Sequence, residues 1–231
     1  MLSVIVFLPA LAAAGLLALP ARAPRAVFGA AWIAVATADL VLVAVAWAGY
    51  HPQGGFAWTE DVTWIPSAGV GYHVGVDGLS LPLVALTAVL FLAVAVYCLR
   101  DGRRPKNRAC LFLFLQTVCL GAFTALDLIL FFVYFDLSIV GMFFVIAGWG
   151  HGDRARAAAV KFFLYTFTGS LALLLGFIGL YLAARPHTFD MVTLIRTDPL
   201  AGRGGYAGLV SSQPAPPGSS PTATRRPGHW R

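Results

Sequence analysis

The stretch Leu128-Ile129-Leu130-Phe131-Phe132-Val133-Tyr134-Phe135-Asp136-Leu137-Ser138-Ile139-Val140-Gly141-Met142-Phe143-Phe144-Val145-Ile146 is long enough to cross a bilayer and carries one carboxylate near its middle. A charged side chain at the bilayer centre costs about 2.5–3.5 kcal/mol on insertion scales, so Asp136 must face a partner, a water-filled cavity or a proton. Two readings stay open. Asp136 is a functional carboxylate, or it is a protonated acid hydrogen-bonded to a neighbouring helix as part of the packing.

The apolar block around it, Ala109 to Trp149, is about 41 residues, too long for one span at 1.5 Å per residue across ~30 Å of hydrocarbon. It predicts two helices, the fourth ending near Phe123 and the fifth starting at Leu128, with a turn at Thr124-Ala125-Leu126-Asp127. Upstream, apolar runs extend from Leu2 to about Leu19, from Ala26 to Tyr50 and, opened by Asp77-Gly78-Leu79-Ser80, to about Leu99. Asp77 is placed to cap that third helix by accepting its free backbone N–H groups. A sixth run, Ala157 to Ala184, holds Lys161. Asp39, inside the second run, reads as a local packing or hydrogen-bonding residue.

Hydrophobic residues make up 59% of the chain and charged residues 11%, which excludes an ordinary soluble domain. The net charge of +6 sits in short connections between apolar runs, where basic residues orient helices, so no nucleic-acid partner is implied. The five connections carry two (Arg22, Arg25), none, five (Arg100 to Arg108), none and two (Arg154, Arg156) basic residues. That alternation predicts an all-α integral membrane protein of about six transmembrane helices with its N-terminus outside and the first helix uncleaved. His51 to Val76, rich in Gly and Trp and without Lys or Arg, reads as an external loop. Residues 1–184 form the helical membrane domain; 185–210 form a loop and the start of an interrupted helix; 211–231, rich in Pro, Ser and Arg, form a disordered tail. Cys98, Cys110 and Cys119 lack metal-ligand or redox spacing and read as small hydrophobes, and no motif for NADH, flavin, an iron–sulfur cluster or a metal is present.

Four blocks carry a family resemblance: Trp64-Ile65-Pro66; Gly71-Tyr72-His73-Val74-Gly75-Val76-Asp77-Gly78-Leu79-Ser80-Leu81; Ala125-Leu126-Asp127-Leu128-Ile129-Leu130-Phe131-Phe132; and Lys161-Phe162-Phe163-Leu164-Tyr165-Thr166. In order and spacing, over roughly residues 1–210, they resemble the subunit M family of bacterial NADH-quinone oxidoreductase, respiratory complex I. Subunits L and N and the multisubunit cation/proton antiporters share the Lys-Phe-Phe block and the mid-helix acid, while the long Gly-Val-Asp-Gly-Leu-Ser-Leu block favours M. The resemblance implies inverted helical repeats with broken helices and a buried row of charged groups that carries protons. It also implies a multi-pass place in the bacterial cell (inner) membrane, beside subunits L, N and other membrane-arm neighbours. Redox chemistry would belong to partner subunits, so this chain needs no cofactor.

By that resemblance Asp136 stands at the fifth-helix glutamate that pairs with a lysine of the seventh helix, and Lys161 matches the lysine at the start of the sixth. Aspartate is one methylene shorter than glutamate, which weakens a buried ion pair, and Gly141 stands where the family usually has proline. No lysine follows Lys161, so the seventh-helix partner is absent from the sequence. The chain therefore reads as the N-terminal part of a translocase subunit, with a truncated, non-pumping product of at most an assembly or structural role, a cation/proton antiporter subunit, or an unrelated six-helix transporter as the alternatives.

Overall fold

A computed structural model of the chain describes residues 1–20, 24–51, 56–65, 70–98, 105–150, 152, 154–184 and 187–197. Its helices are α1 (Leu2–Ala18), α2 (Arg25–Ala48), α3 (Ser80–Cys98), α4 (Pro105–Thr124), α5 (Leu128–Trp149), α6 (Ala155–Ala183) and the short α7 (Met191–Thr197). The five helices α2 to α6 are long and apolar enough to cross a membrane. Helix α1, at 17 residues, spans about 25 Å and packs against α2 and α4. These are the six predicted helices, and they make the chain a helical membrane protein.

Helix α4 is the central post, with α1, α2, α3 and α5 around it. Helix α6 packs on α5 at the edge of the bundle and leaves most of its length uncovered. The contact of α4 with α5 is close because glycine sits on each: a Cβ on Gly121 would lie 2.4 Å from the Tyr134 ring, and one on Gly141 would lie 2.4 Å from Leu115 Cδ2. Helix α5 runs unbroken through Gly141, which serves here as a packing notch.

The starts of α3 and α5 are capped by acids, the first as read from the sequence. Asp77 accepts the amides of Leu79 (3.1 Å) and Ser80 (2.6 Å), while Ser80 Oγ accepts the Asp77 amide at 2.9 Å. Asp127 accepts the amides of Ile129 (2.8 Å) and Leu130 (3.1 Å) at the head of α5. The turn between α4 and α5 thus falls where the sequence places it.

The external loop is corrected in one respect: much of it is an antiparallel hairpin of β1 (Ala57–Ile65) and β2 (Val70–Val76), with Asp61 opposite His73 and Val62 opposite Tyr72. The physical reason is a run of aromatic, β-branched and small residues with no helical periodicity, which suits a half-buried ribbon. Beyond α6, the segment expected to be a loop turns back to form α7, whose Leu194 is buried with Val70, Leu128, Ala184 and Phe189. The interrupted run at 204–210 and the tail at 211–231 lie outside the described residues.

The two ends of the bundle differ as the charge alternation requires. At one end sit the chain start, the hairpin, the α4–α5 turn and α7; the Met1 ammonium and Ser3 hydroxyl both bond Glu60 of β1. At the other end Lys106 Nζ donates to the carbonyls of Leu17 (3.0 Å) and Leu19 (2.5 Å), closing the C-terminus of α1.

Candidate functional site

Asp136 lies eight residues into α5, about 12 Å from the hairpin end and about 20 Å from the basic end by rise per residue. Its side of the helix is set by its neighbours. Tyr134 and Gly141 face α4, while Phe131 and Phe143 meet Phe177 and Phe163 of α6 at ring-centroid distances of 6.3 and 5.8 Å. At 100° per residue Asp136 falls on the flank of the α6 contact, between Phe143 and the exposed stripe of Val133 and Val140. The residue is half-buried. Its Oδ1 is shielded from solvent and has no hydrogen-bond partner among the described residues.

Lys161 is exposed and sits six residues into α6, about 9 Å from its start. The face of α6 that meets α5 carries Phe163 and Phe177, with buried Ala159 and Ser170. Lys161 is two positions, about 200° of helix, from Ala159 and so points away from α5. The structure therefore does not bring Asp136 and Lys161 together; they differ by about 10 Å in depth and no ion pair joins them among the described residues.

A second buried acid has a partner. Asp39 is fully enclosed, and Gln116 of α4 donates Nε2–H to its Oδ2 at 2.6 Å, while Asp39 Oδ1 and Gln116 Oε1 have no partner among the described residues. This fits the local hydrogen-bonding role read for Asp39. Gln116 was not singled out in the sequence, although an amide in the run Ala109–Phe123 is a signal of the same kind as an acid there.

A polar cluster also escaped the sequence reading. His73 of β2 bonds Asp190 (Nδ1 to Oδ1, 2.9 Å), both partly buried, and Asp190 also accepts the Thr193 amide (2.9 Å) and hydroxyl (2.6 Å). Backbone bonds lace the same place together: the Leu126 amide donates to the His73 carbonyl, Leu128 to Phe189 and Met191 to Leu126. Partial burial pushes the Asp190 carboxyl up, but the Thr193 bonds and His73 outweigh it and hold it below its ordinary range. Asp127 goes the other way. Its burial, with the Asp190 charge adding to it, outweighs the amides of Leu130, Gly71 and Ile129 and raises its carboxyl.

Residues 125–208 match the family described as NADH:quinone oxidoreductase/Mrp antiporter, transmembrane. The chain is 40% identical over 204 residues to NADH-quinone oxidoreductase subunit M of Rhodobacter capsulatus, covering 86% of this chain and 38% of that protein. It is 39% identical over 141 residues to F(420)H(2) dehydrogenase subunit M of Methanosarcina mazei, covering 59% of this chain and 28% of that protein. A chain of respiratory complex I from Thermus thermophilus with bound NADH superposes with a TM-score of 0.73 at 27% identity, over 85% of this chain and 39% of that one. The chain is thus similar over most of its length to part of complex I subunit M, carries a segment that matches the antiporter-type membrane family, and spans less than two fifths of the length of these relatives.

Proposed function

We propose that this homologue of subunit M supplies part of an antiporter-like, proton-translocating membrane-arm subunit of an NADH-quinone oxidoreductase, with Asp136 as its coupling carboxylate. The observation that carries the reading is the shielded carboxylate oxygen of Asp136, without a partner among the described residues, midway along a membrane-length helix and inside the segment that matches the antiporter family. An acid beside a cation in a low-dielectric interior stays ionised; when the cation withdraws, desolvation favours the protonated form. Alternating those two states, driven by conformational change in the rest of the complex, moves one proton per cycle.

Lys161 stands at the basic end of this route, turned away from α5, and reaches Asp136 only through water or groups beyond the described residues. The cation that faces Asp136 belongs to the part of the subunit that this chain does not span. The neighbours are other membrane-arm subunits, L and N among them, in the bacterial inner membrane. No redox group is assigned to this chain.

The test is Asp136→Asn in membranes that hold the assembled complex. We expect assembly and NADH-driven quinone reduction to persist while proton pumping is lost. Pumping at the parent level in that variant would sink the assignment, and so would a variant that fails to assemble but whose Asp136→Glu counterpart assembles and does not pump.

A further inference from the structure

At the basic end of the bundle a groove of about 750 Å³ opens between α1, α4 and α5. Its walls are apolar, with Ala14 of α1, Leu111 and Phe114 of α4, and Phe144 and Gly148 of α5. The depression exists because small residues line two of its three sides; a Cβ added to Gly148 would meet nothing within 4 Å. Phe114 lies nine residues into α4, so the groove penetrates about 13 Å from the membrane surface, close to the ~15 Å hydrocarbon depth of one leaflet.

The mouth has the opposite character. Asn107, Trp149 and Arg156 line it. Among the described residues this end carries Arg25, Lys106, Arg108, Arg154 and Arg156, while Asp101 and Asp153 of the same connections lie outside the described residues. Lys106 is engaged with the carbonyls of Leu17 and Leu19, and Arg108 lies over the Trp149 ring at 5.6 Å. Arg156 makes no ion pair among the described residues, and it borders the groove.

An apolar slot one leaflet deep, with an amide, an interfacial indole and a guanidinium at its rim, is complementary to a single amphiphile with an anionic head. We infer that this groove binds one anionic phospholipid, an acyl chain lying between α1, α4 and α5 and the phosphate held at the mouth by Arg156 and Asn107. The guanidinium presents its N–H fork to the phosphate oxygens, and the Asn107 amide adds a donor. This site is separate from Asp136 and does not depend on the proton-translocation reading.

The experiment uses the whole chain in nanodiscs of phosphatidylcholine containing a trace of phosphatidylglycerol with a photoactivatable group on its acyl chain, and crosslinks are mapped by mass spectrometry. Labelling is expected on the groove segments of α1 and α4, competed by unlabelled phosphatidylglycerol and not by added phosphatidylcholine or inorganic phosphate. Arg156→Gln should lower it about fivefold, the contribution of one basic residue near an anionic head group. Arg154→Gln, which does not border the groove, should leave it unchanged. Gly148→Phe, which fills the slot, should abolish it with helicity preserved by circular dichroism. Equal competition by phosphatidylcholine, displacement by inorganic phosphate, or undiminished labelling in a folded Arg156→Gln would each overturn the proposal. Label absent from the groove in both the parent and Arg156→Gln would also overturn it.

Discussion

The two acids inside the membrane segment differ in what surrounds them, and that difference is the ground on which Asp136 rather than Asp39 is proposed as the coupling carboxylate. Asp39 is enclosed and bonded by Gln116, whereas Asp136 has a shielded oxygen with nothing bonded to it among the described residues. Replacing only Gln116 by Leu leaves a buried acid without its donor and should cost about 1–2 kcal/mol; replacing Asp39 and Gln116 together by Leu should be close to neutral. Thermal unfolding of these two variants and of Asp39→Leu alone in detergent checks this, and an additive cycle would mean the pair is not coupled. At the α4–α5 contact, Gly121→Ala should destabilise by about 1–3 kcal/mol because its methyl group meets the Tyr134 ring. The same unfolding assay applies, with Gly176→Ala as the control, since a Cβ there meets nothing within 4 Å. Asp136 was legible in the sequence because a lone carboxylate in an apolar run declares its own cost. Gln116 carries a weaker signal of the same kind, and its partner Asp39, 77 positions away in the chain, could not be read from it.

Among the elements, the helices were legible nearly to the residue, since hydrophobic length and capping acids are local signals. The hairpin and α7 were not. Their placement depends on contacts across long separations: His73 to Asp190, Leu126 to His73 and Met191 to Leu126. A loop-like composition cannot announce such pairings. The Asp190 carboxylate caps α7 and holds β2, and its carboxyl is depressed below its ordinary value of 3.8. A depressed acid contributes stability that is complete above its unfolded value and is lost as pH falls through its folded value. The latch should therefore hold near neutral pH and loosen only below about pH 4, with protonation of Asp127, whose carboxyl is raised, coming earlier and easing its repulsion with Asp190. Hydrogen exchange at Leu126, Leu128 and Met191 reads this directly. Asp190→Ala should speed exchange at Leu128 and Met191 at neutral pH and remove the acid dependence, whereas unchanged protection would show that the backbone bonds alone hold the latch.

Across the whole molecule, the loop charges and the fold describe one arrangement: the hairpin, the α4–α5 turn and α7 share an end, and the basic connections share the other. Maleimide that cannot cross membranes should therefore label Asp61→Cys in intact cells and Arg154→Cys only after lysis, above the parent chain's background; the reverse pattern would invert the topology. The candidate site was only partly legible because Asp136 and Lys161 are read from one helix each, while a proton route is a property of helices facing one another. Here α6 carries Lys161 on the side away from α5, and the stripe of Val133 and Val140 beside Asp136 is exposed. The most direct measurement is infrared difference spectroscopy of the assembled complex during NADH oxidation, comparing parent and Asp136→Asn. The account predicts a deuterium-sensitive carboxyl band that changes with turnover in the parent and is missing from the variant. A band that persists unchanged in Asp136→Asn, or a parent in which no carboxyl signal depends on Asp136, would contradict it.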